Sequence, residues 1–311
     1  MKVVFMGSDI LACPALKRLI DHSEYEVAAV ISQPDRPKGR NPKPSPCPAK
    51  AAAEQAGLPV LTPEKISSRD SVNRISRLDP DIIVVAAYGQ YISSEILEIP
   101  VNGAINIHPS LLPKYRGAAP IQWAVAQGET ETGVTILYVS SEMDAGDIIR
   151  QEKLAIEDDD TAETLAGRLA GLGADLLMDV LEDIRFNRVS RTPQNHEQAT
   201  MTRKLKKEDG RIDWNLPAEI LRNRIRGFAP WPGCFCKMPD DSILKIWKAG
   251  VEKYEGDALP GTVLSSRGKG PLIATSVDAL RLLEVQPQGK KRMNANAFLC
   301  GRKLQPGLNL R

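Results

Sequence analysis

DIIVVAA, Asp81–Ala87, carries one polar residue at its start and then six apolar ones without a break. A run that never alternates marks a strand covered on both faces, the situation of a strand inside a parallel sheet. The flanking sequence has the matching rhythm. Lys2–Met6 is a short β-branched run that ends at Gly7 and Ser8. Leu11–Asp21 repeats apolar residues at Leu11, Ala15, Leu16 and Ile20, a helical spacing, and Tyr25–Ile31 is a second strand. Pro48–Ala56 reads as helix and Pro59–Leu61 as extended. Beyond the quoted run, Ala104–Ile107 is a short strand, Thr132–Val139 alternates, and Asp147–Ile156 follows as its hairpin partner. Thr161–Ile184 is a long amphipathic helix. Strands alternating with helices predict a parallel sheet with helices on both faces, an α/β fold.

The pattern changes after Asn187. Arg188–Lys207 is polar and irregular and reads as a linker. From Asp209 onward short extended runs alternate with turn residues: Cys234–Met238, Ile243–Ala249, Gly261–Leu264, Leu272–Thr275 and Ala279–Val285, with only Pro217–Ile225 helical. That pattern predicts a small β-barrel. The expected division is therefore residues 1–187, a linker over 188–207, and 208–311. At 311 residues, two domains is also the expectation from length.

Composition narrows the classes. Hydrophobic content of 42% and charged content of 26% are those of a soluble globular protein. No apolar run approaches the ~18 residues that span a bilayer, and MKVVFMGSD reads as a strand and not a leader. Five cysteines without paired spacing and three scattered histidines do not supply the about four ligands of a zinc site. The expectation is no metal, reduced cysteines and a cytoplasmic protein. Net charge is +2, but residues 1–200 hold 20 Lys and Arg against 28 Asp and Glu, whereas residues 201–311 hold 21 against 11. A back half with a surplus of +10 suits a polyanionic partner, or is simply a solvated surface.

One loop, SQPDRPKGRNPKPSPCPAK (Ser32–Lys50), holds six prolines and the cations Arg36, Lys38, Arg40, Lys43 and Lys50 against the single acid Asp35. It follows a strand, so it belongs at the carboxyl edge of the sheet, where open α/β folds bind ligands. Its cations make it a candidate for phosphate contact.

The same edge carries chemistry in AINIHPSLLPKYRGAAP (Ala104–Pro120). Asn106 and His108 are two apart on a strand and share a face. The next strand-end loop, SSEMDAGD (Ser140–Asp147), offers Asp144 and Asp147 beside a glycine. Asn and protonated His can donate to a developing oxyanion. A carboxylate beside the ring orients it and favours its charged form. An unpartnered strand-end histidine is more often a packed residue, and it is the Asn and Asp beside it that point to acyl transfer. No Gly-x-Ser-x-Gly elbow is present, Ser110 shows no activating partner, and neither a Walker A motif nor Gly-x-Gly-x-x-Gly follows the first strand. Direct attack of one substrate on the other fits better than a covalent enzyme.

Asn106-Ile-His-Pro-Ser-Leu-Leu-Pro113, followed by Asp144-Ala-Gly146, resembles the folate-dependent formyltransferases. The resemblance implies a Rossmann-like catalytic domain, with Asn106, His108 and Asp144 as its catalytic residues. It also implies 10-formyltetrahydrofolate as cosubstrate, along Tyr88, Gly89, Gln90, Tyr91 and Ile92, along Ser110, Leu111, Leu112 and Pro113, and beside Val139 and Met143. The loop Gln33–Arg40, the stretches Pro113–Ile121 and Glu131–Thr135, and Arg211–Trp214, Pro230–Pro232 and Gln286–Lys291 are similar to the members that act on methionyl-initiator tRNA. Those members carry an OB-like barrel that packs against tRNA. By that resemblance Arg36, Lys38, Arg40 and Lys43 contact the acceptor end. Arg203, Lys204, Lys206, Lys207, Arg222, Lys290 and Lys291 are the back-half tRNA contacts it implies. The first turn departs from the family's Gly-Thr-Pro-x-Phe-Ala and reads Gly7-Ser-Asp-Ile-Leu-Ala12. No apolar seam is evident, so a monomer is expected. The rival readings are a formyltransferase of amino sugar nucleotides, the phosphoribosylglycinamide enzyme, which lacks a comparable back half, and an RNA-binding protein with a catalytically dead front domain.

Overall fold

The computed structural model describes residues 1–37, 44–301 and 304–310. Their contacts sort the chain into two compact units. The first holds Met1–Gly117, Glu131–Ala155 and Ala166–Thr202; the second holds Ala118–Thr130, Ile156–Leu165 and the chain from Arg203 onward.

The first unit is built on seven strands: β1 (Lys2–Gly7), β2 (Glu26–Ile31), β3 (Val60–Leu61), β4 (Ile82–Ala86), β5 (Ala104–His108), β6 (Glu131–Tyr138) and β7 (Ile148–Ala155). Their order is β7-β6-β5-β4-β1-β2-β3. The five strands from β3 to β5 run parallel, and β6 and β7 add an antiparallel edge. All five residues of β4 are buried, as the unbroken apolar run requires. Register places Asn106 beside Val85 on one side and Leu137 on the other. The side chain at 106 therefore sits at the carboxyl end of the parallel strands.

The helices Cys13–Asp21, Pro48–Gln55 and Ala162–Arg185 match the sequence reading. A further helix, Arg69–Leu78, was not expected, because its polar sequence buries only Ser71 and Ile75. It is stabilised locally: Ser68 Oγ accepts from the backbone N–H of Ser71, and Asp70 and Arg77 sit at the ends that suit their charges. Residues 188–202 also have defined partners within this unit. Thr192 bridges Ile148, and Met201–Thr202 pairs in parallel with Arg116–Gly117.

The second unit is an antiparallel β structure, as the short runs of the back half predict. Its strands are β8 (Cys234–Lys237), β9 (Ile243–Glu252), β10 (Val263–Ser265), β11 (Leu272–Ala274), β12 (Ala279–Pro287) and β13 (Met293–Asn294). They are ordered β8-β9-β12-β11-β10, with β13 added on β12. Cys234 and Cys236 fall on the same buried face, where burial pushes both thiols up to about 12. Ala295–Gly301 is a helix where none was expected; seven residues are too few for a helical period to show.

The helix Ala218–Gly227 joins the core through Leu221 and Ile225, beside Leu244, Ile246, Leu280 and Leu282. The helix Pro120–Ala126 crosses it closely. A Cβ at Gly227 would meet Ala126 N at 2.6 Å, and Trp123 stands edge-on to Phe228 at 5.5 Å. The acidic turn around 157–160, with Glu129 and Glu163, also lies in this unit, so the unit's formal surplus is +4 and not +10. Arg222 pairs with Asp158 at 2.7 Å, and Arg226 donates to the carbonyls of Glu157 and Asp160. Among the described residues no helix is long and apolar enough to cross a membrane.

Candidate active site

Strand β5 ends at His108, and the chain must then leave the sheet edge. Thr135, fully buried on β6, fixes that exit: its Oγ1 donates to Ser110 O at 2.7 Å and accepts from Leu112 N at 3.2 Å. Gln151 on β7 donates to the same hydroxyl and to Leu112 O, both at 2.8 Å. Ser110 Oγ donates onward to Lys114 O at 2.8 Å, so this serine braces a turn. The Leu112–Pro113 peptide is cis. This framework returns the carbonyl of Tyr115 to His108, whose Nε2 lies 2.9 Å from it. A carbonyl oxygen only accepts, so Nε2 carries a proton.

The second loop supplies Asp144. Tyr138 N donates to Asp147 O at 2.9 Å, closing the loop, and Gly146 passes so near Tyr138 O that a side chain there would collide with it. Asp144 adopts a left-handed backbone, φ 51°, unusual for a residue with a side chain. Its carboxylate has three neighbours. Asn106 Nδ2 donates to Oδ1 at 3.4 Å, Gly117 N donates to Oδ2 at 2.8 Å, and His108 Nδ1 faces Oδ2 at 3.6 Å. Gly117 has φ 98°, and a Cβ on it would meet Thr202 O at 2.5 Å, so only glycine can present that N–H. The structure thus brings Asn106, His108 and Asp144 into one cluster, with His108 only 4% exposed.

Two more side chains belong to the cluster. Gln194 is 6% exposed and Arg116 5% exposed. Gln194 Nε2 donates to the carbonyls of Asp144 and Gly146, both at 2.8 Å. Arg116 Nε and Nη2 donate to Gln194 Oε1 at 3.0 and 2.6 Å, and its Nη1 lies 3.4 Å from His196 Nδ1. Sequence reasoning missed both. Arg116 stands inside a quoted motif without an assigned role, and Gln194 lies in a stretch read as linker with no signal to mark it.

The residues expected along the cosubstrate divide. Tyr88 and Ile92 are buried, and the Tyr88 hydroxyl is buried without a hydrogen-bond partner among the described residues; burial pushes its phenol well up. Gly89, at φ 86°, follows Tyr88, whose carbonyl accepts from Ser8 Oγ and Gln33 Nε2, each at 3.2 Å. Gln90 spends its amide on Ile66 N and Pro63 O. Tyr91 and Met143 are 67% and 66% exposed, Leu112 is buried, and Leu111, Pro113 and Val139 are half-buried.

The expected tRNA residues divide too. Lys38, Arg40 and Lys43 lie outside the described residues. Arg36 is exposed, in a two-residue strand paired with Pro44–Ser45. Lys50 is tied to Asp35 at 2.8 Å. Lys204, Lys206, Lys207, Lys290 and Lys291 are exposed. Arg203 is held by Asp209 through two bonds of 2.8 and 2.6 Å and lies over Trp123, and Arg222 is held by Asp158 and Glu219. Among the described residues no three His, Cys, Asp or Glu side chains gather where they could hold a metal.

A family described as "Formyl transferase" matches residues 1–181, and one described as "Formyl transferase, C-terminal domain" matches 204–303. The methionyl-tRNA formyltransferase of Caldanaerobacter subterraneus subsp. tengcongensis is 43% identical over 312 residues, covering 100% of both chains. That of Geobacter metallireducens is 42% identical, covering 100% of this chain and 98% of its own. Among solved structures, the sugar 3N-formyl transferase WlaRD superposes with a TM-score of 0.66 at 17% identity, over 94% of this chain and 99% of that one. HypX from Aquifex aeolicus in complex with tetrahydrofolic acid gives 0.64 at 19%, over 96% of this chain and 47% of that one. These structural likenesses establish the fold, and full-length relatives above 40% identity go further: the chain belongs to the methionyl-tRNA formyltransferase family.

Proposed function

We propose that the chain transfers the formyl group of 10-formyltetrahydrofolate to the α-amino group of methionyl-initiator tRNA, a step of translation initiation. The observation that carries this reading is the convergence of Asn106, His108 and Asp144 at the carboxyl end of the parallel strands. In the reaction the amine nitrogen bonds to the formyl carbon, the bond from that carbon to the folate nitrogen breaks, and one amine proton passes to the departing nitrogen. An aminoacyl amine, whose adjacent ester carbonyl lowers it below the free α-amino range of about 7.7, has a substantial neutral fraction at cellular pH.

Asn106 is the donor with capacity to spare. Its bond to Asp144 is long, 3.4 Å, and the amide has a second N–H. Such a donor aimed at the formyl oxygen contributes at most about 3–4 kcal/mol. His108 has one nitrogen on Tyr115 O and the other turned to Asp144. The pair is placed to take up the amine proton and return it, directly or through water, to the leaving nitrogen.

The division of labour is catalysis by the first unit, Gln194 included, and tRNA binding by the second, in a monomer acting in the cytosol. The exposed Lys204, Lys206, Lys207, Lys290, Lys291 and Arg36 are the tRNA contacts the geometry favours; Lys38, Arg40 and Lys43 belong to the same proposal. Formyl transfer with methionylated initiator and elongator tRNA in parallel tests the reading. Product from the initiator alone is expected. No product from either, by protein that still binds the folate, overturns the acceptor.

A further inference from the structure

We propose that Gln194, gripped by Arg116, is a positioning residue that holds Asp144 in its reactive geometry. The inference rests on the reading of Asp144 as the group that pairs with His108. Its basis is a hydrogen-bond count. The amide of Gln194 has two N–H donors and an oxygen with two lone pairs, and all four are used. Both donors go to main-chain carbonyls of the Asp144 loop, at 2.8 Å each, and both lone pairs face Arg116. The reversed amide would set its oxygen against two carbonyls and its NH₂ against a guanidinium, so the chemistry admits one orientation.

Two features need such a clamp. Asp144 sits at φ 51°, and a side-chain-bearing residue in that region persists only where its surroundings over-determine it. The clamp takes hold of the residue's own carbonyl and of the carbonyl two residues on, fixing the direction in which the carboxylate leaves the chain. Arg116 is the second feature. It is buried, and among the described residues no carboxylate lies within ion-pair distance of its guanidinium; the fork ends on a neutral amide and a histidine nitrogen. A buried charge left without a counter-charge is costly. Here two N–H bonds converge on Gln194 Oε1 and orient the amide, a task a planar fork performs and an ammonium does not.

Gln194→Glu separates positioning from folding. The carboxylate keeps and strengthens the bond to Arg116, while its other oxygen faces the two carbonyls that the amide held. The expected result is a kcat about tenfold lower or more, with KM for methionyl-tRNA and for 10-formyltetrahydrofolate within about twofold and a Tm close to that of the unaltered protein. Arg116→Lys, which retains the charge without the fork, lowers kcat in the same direction and less. An unchanged kcat in Gln194→Glu overturns the proposal, and so does a fall that disappears when the assay is run well below the variant's Tm. Asp144→Asn, assayed alongside, tells the two ideas apart. If it is fully active, the reading of Asp144 fails; if it is inactive while Gln194→Glu is fully active, only the clamp fails.

Discussion

Arg116 in the first unit and Arg222 in the second are both largely withdrawn from water, and they end differently. Arg222 reaches Asp158 and Glu219, so its charge is cancelled where it stands. Arg116 reaches a glutamine oxygen and a histidine nitrogen, with no carboxylate among the described residues. The first arrangement neutralises a surface; the second spends a charge on orienting a neighbour. A cation that already has its counter-charge is poorly placed to hold a phosphate. A buried one without a counter-charge points to the place where geometry matters most.

The sharpest way to break this comparison lies in the site that Arg116 serves. His108→Ala or Asn106→Ala is expected to lower formyl transfer about 10²- to 10³-fold, while tRNA affinity stays within about twofold; activity near the starting level would remove the site from the chemistry. Gly117→Ala comes next. It forces a Cβ towards Thr202 O at φ 98° and displaces the N–H that holds Asp144. A loss of about 1–3 kcal/mol in thermal or denaturant unfolding is expected, with activity reduced further than the fraction unfolded explains.

On the other side of the comparison, replacing Lys204, Lys206 and Lys207 together by alanine is expected to weaken tRNA binding. It should also flatten the plot of log affinity against log salt by about 2.7, near 0.9 for each phosphate no longer neutralised. Arg222→Ala should leave that slope alone and reduce stability by about 1 kcal/mol. Equal slopes for the two variants would show that pairing does not decide which cations meet RNA.

The smallest effect is an acid-side one. The Arg203 guanidinium beside Asp209 holds its carboxyl below the usual carboxylate range. A depressed carboxyl contributes stability that is fully present above its unfolded pKa, about 3.9, and is lost as pH falls through the lower folded value. Asp209→Asn should therefore be destabilising by a constant amount near neutral pH, with the difference shrinking only below about pH 4. A difference that begins to shrink near pH 6 would assign the effect to another group.

How much of this the sequence discloses depends on whether the information is local. Asn106 and His108 are two apart on one strand, so their shared face follows from the period of a strand. Asp144 is reachable because β6 lies next to β5, and Asp-Ala-Gly marks a tight exit; the packing of Gly146 against Tyr138 O supplies the physical reason. Gln194 had no such mark. It acts from a segment without regular periodicity, through bonds to carbonyls that every residue possesses. Charge counting overstates the surplus for a related reason. The surplus of +10 over residues 201–311 counts Arg222 and Lys248 as available, whereas in the fold Asp158 and Asp159, from the front half of the chain, stand beside them.

The second unit is assembled from three separate pieces of chain, and this governs how it can be made. Its core contains Ala126 and packs against Trp123, which are synthesised about 80 residues before Arg203, and its acidic turn comes from around residue 158. As the polypeptide leaves the ribosome, the helix Pro120–Ala126 must wait, with apolar surface uncovered, until Leu221, Ile225 and Phe228 emerge. A gene cut at residue 203 therefore does not encode the second unit: the product lacks a wall of its own core.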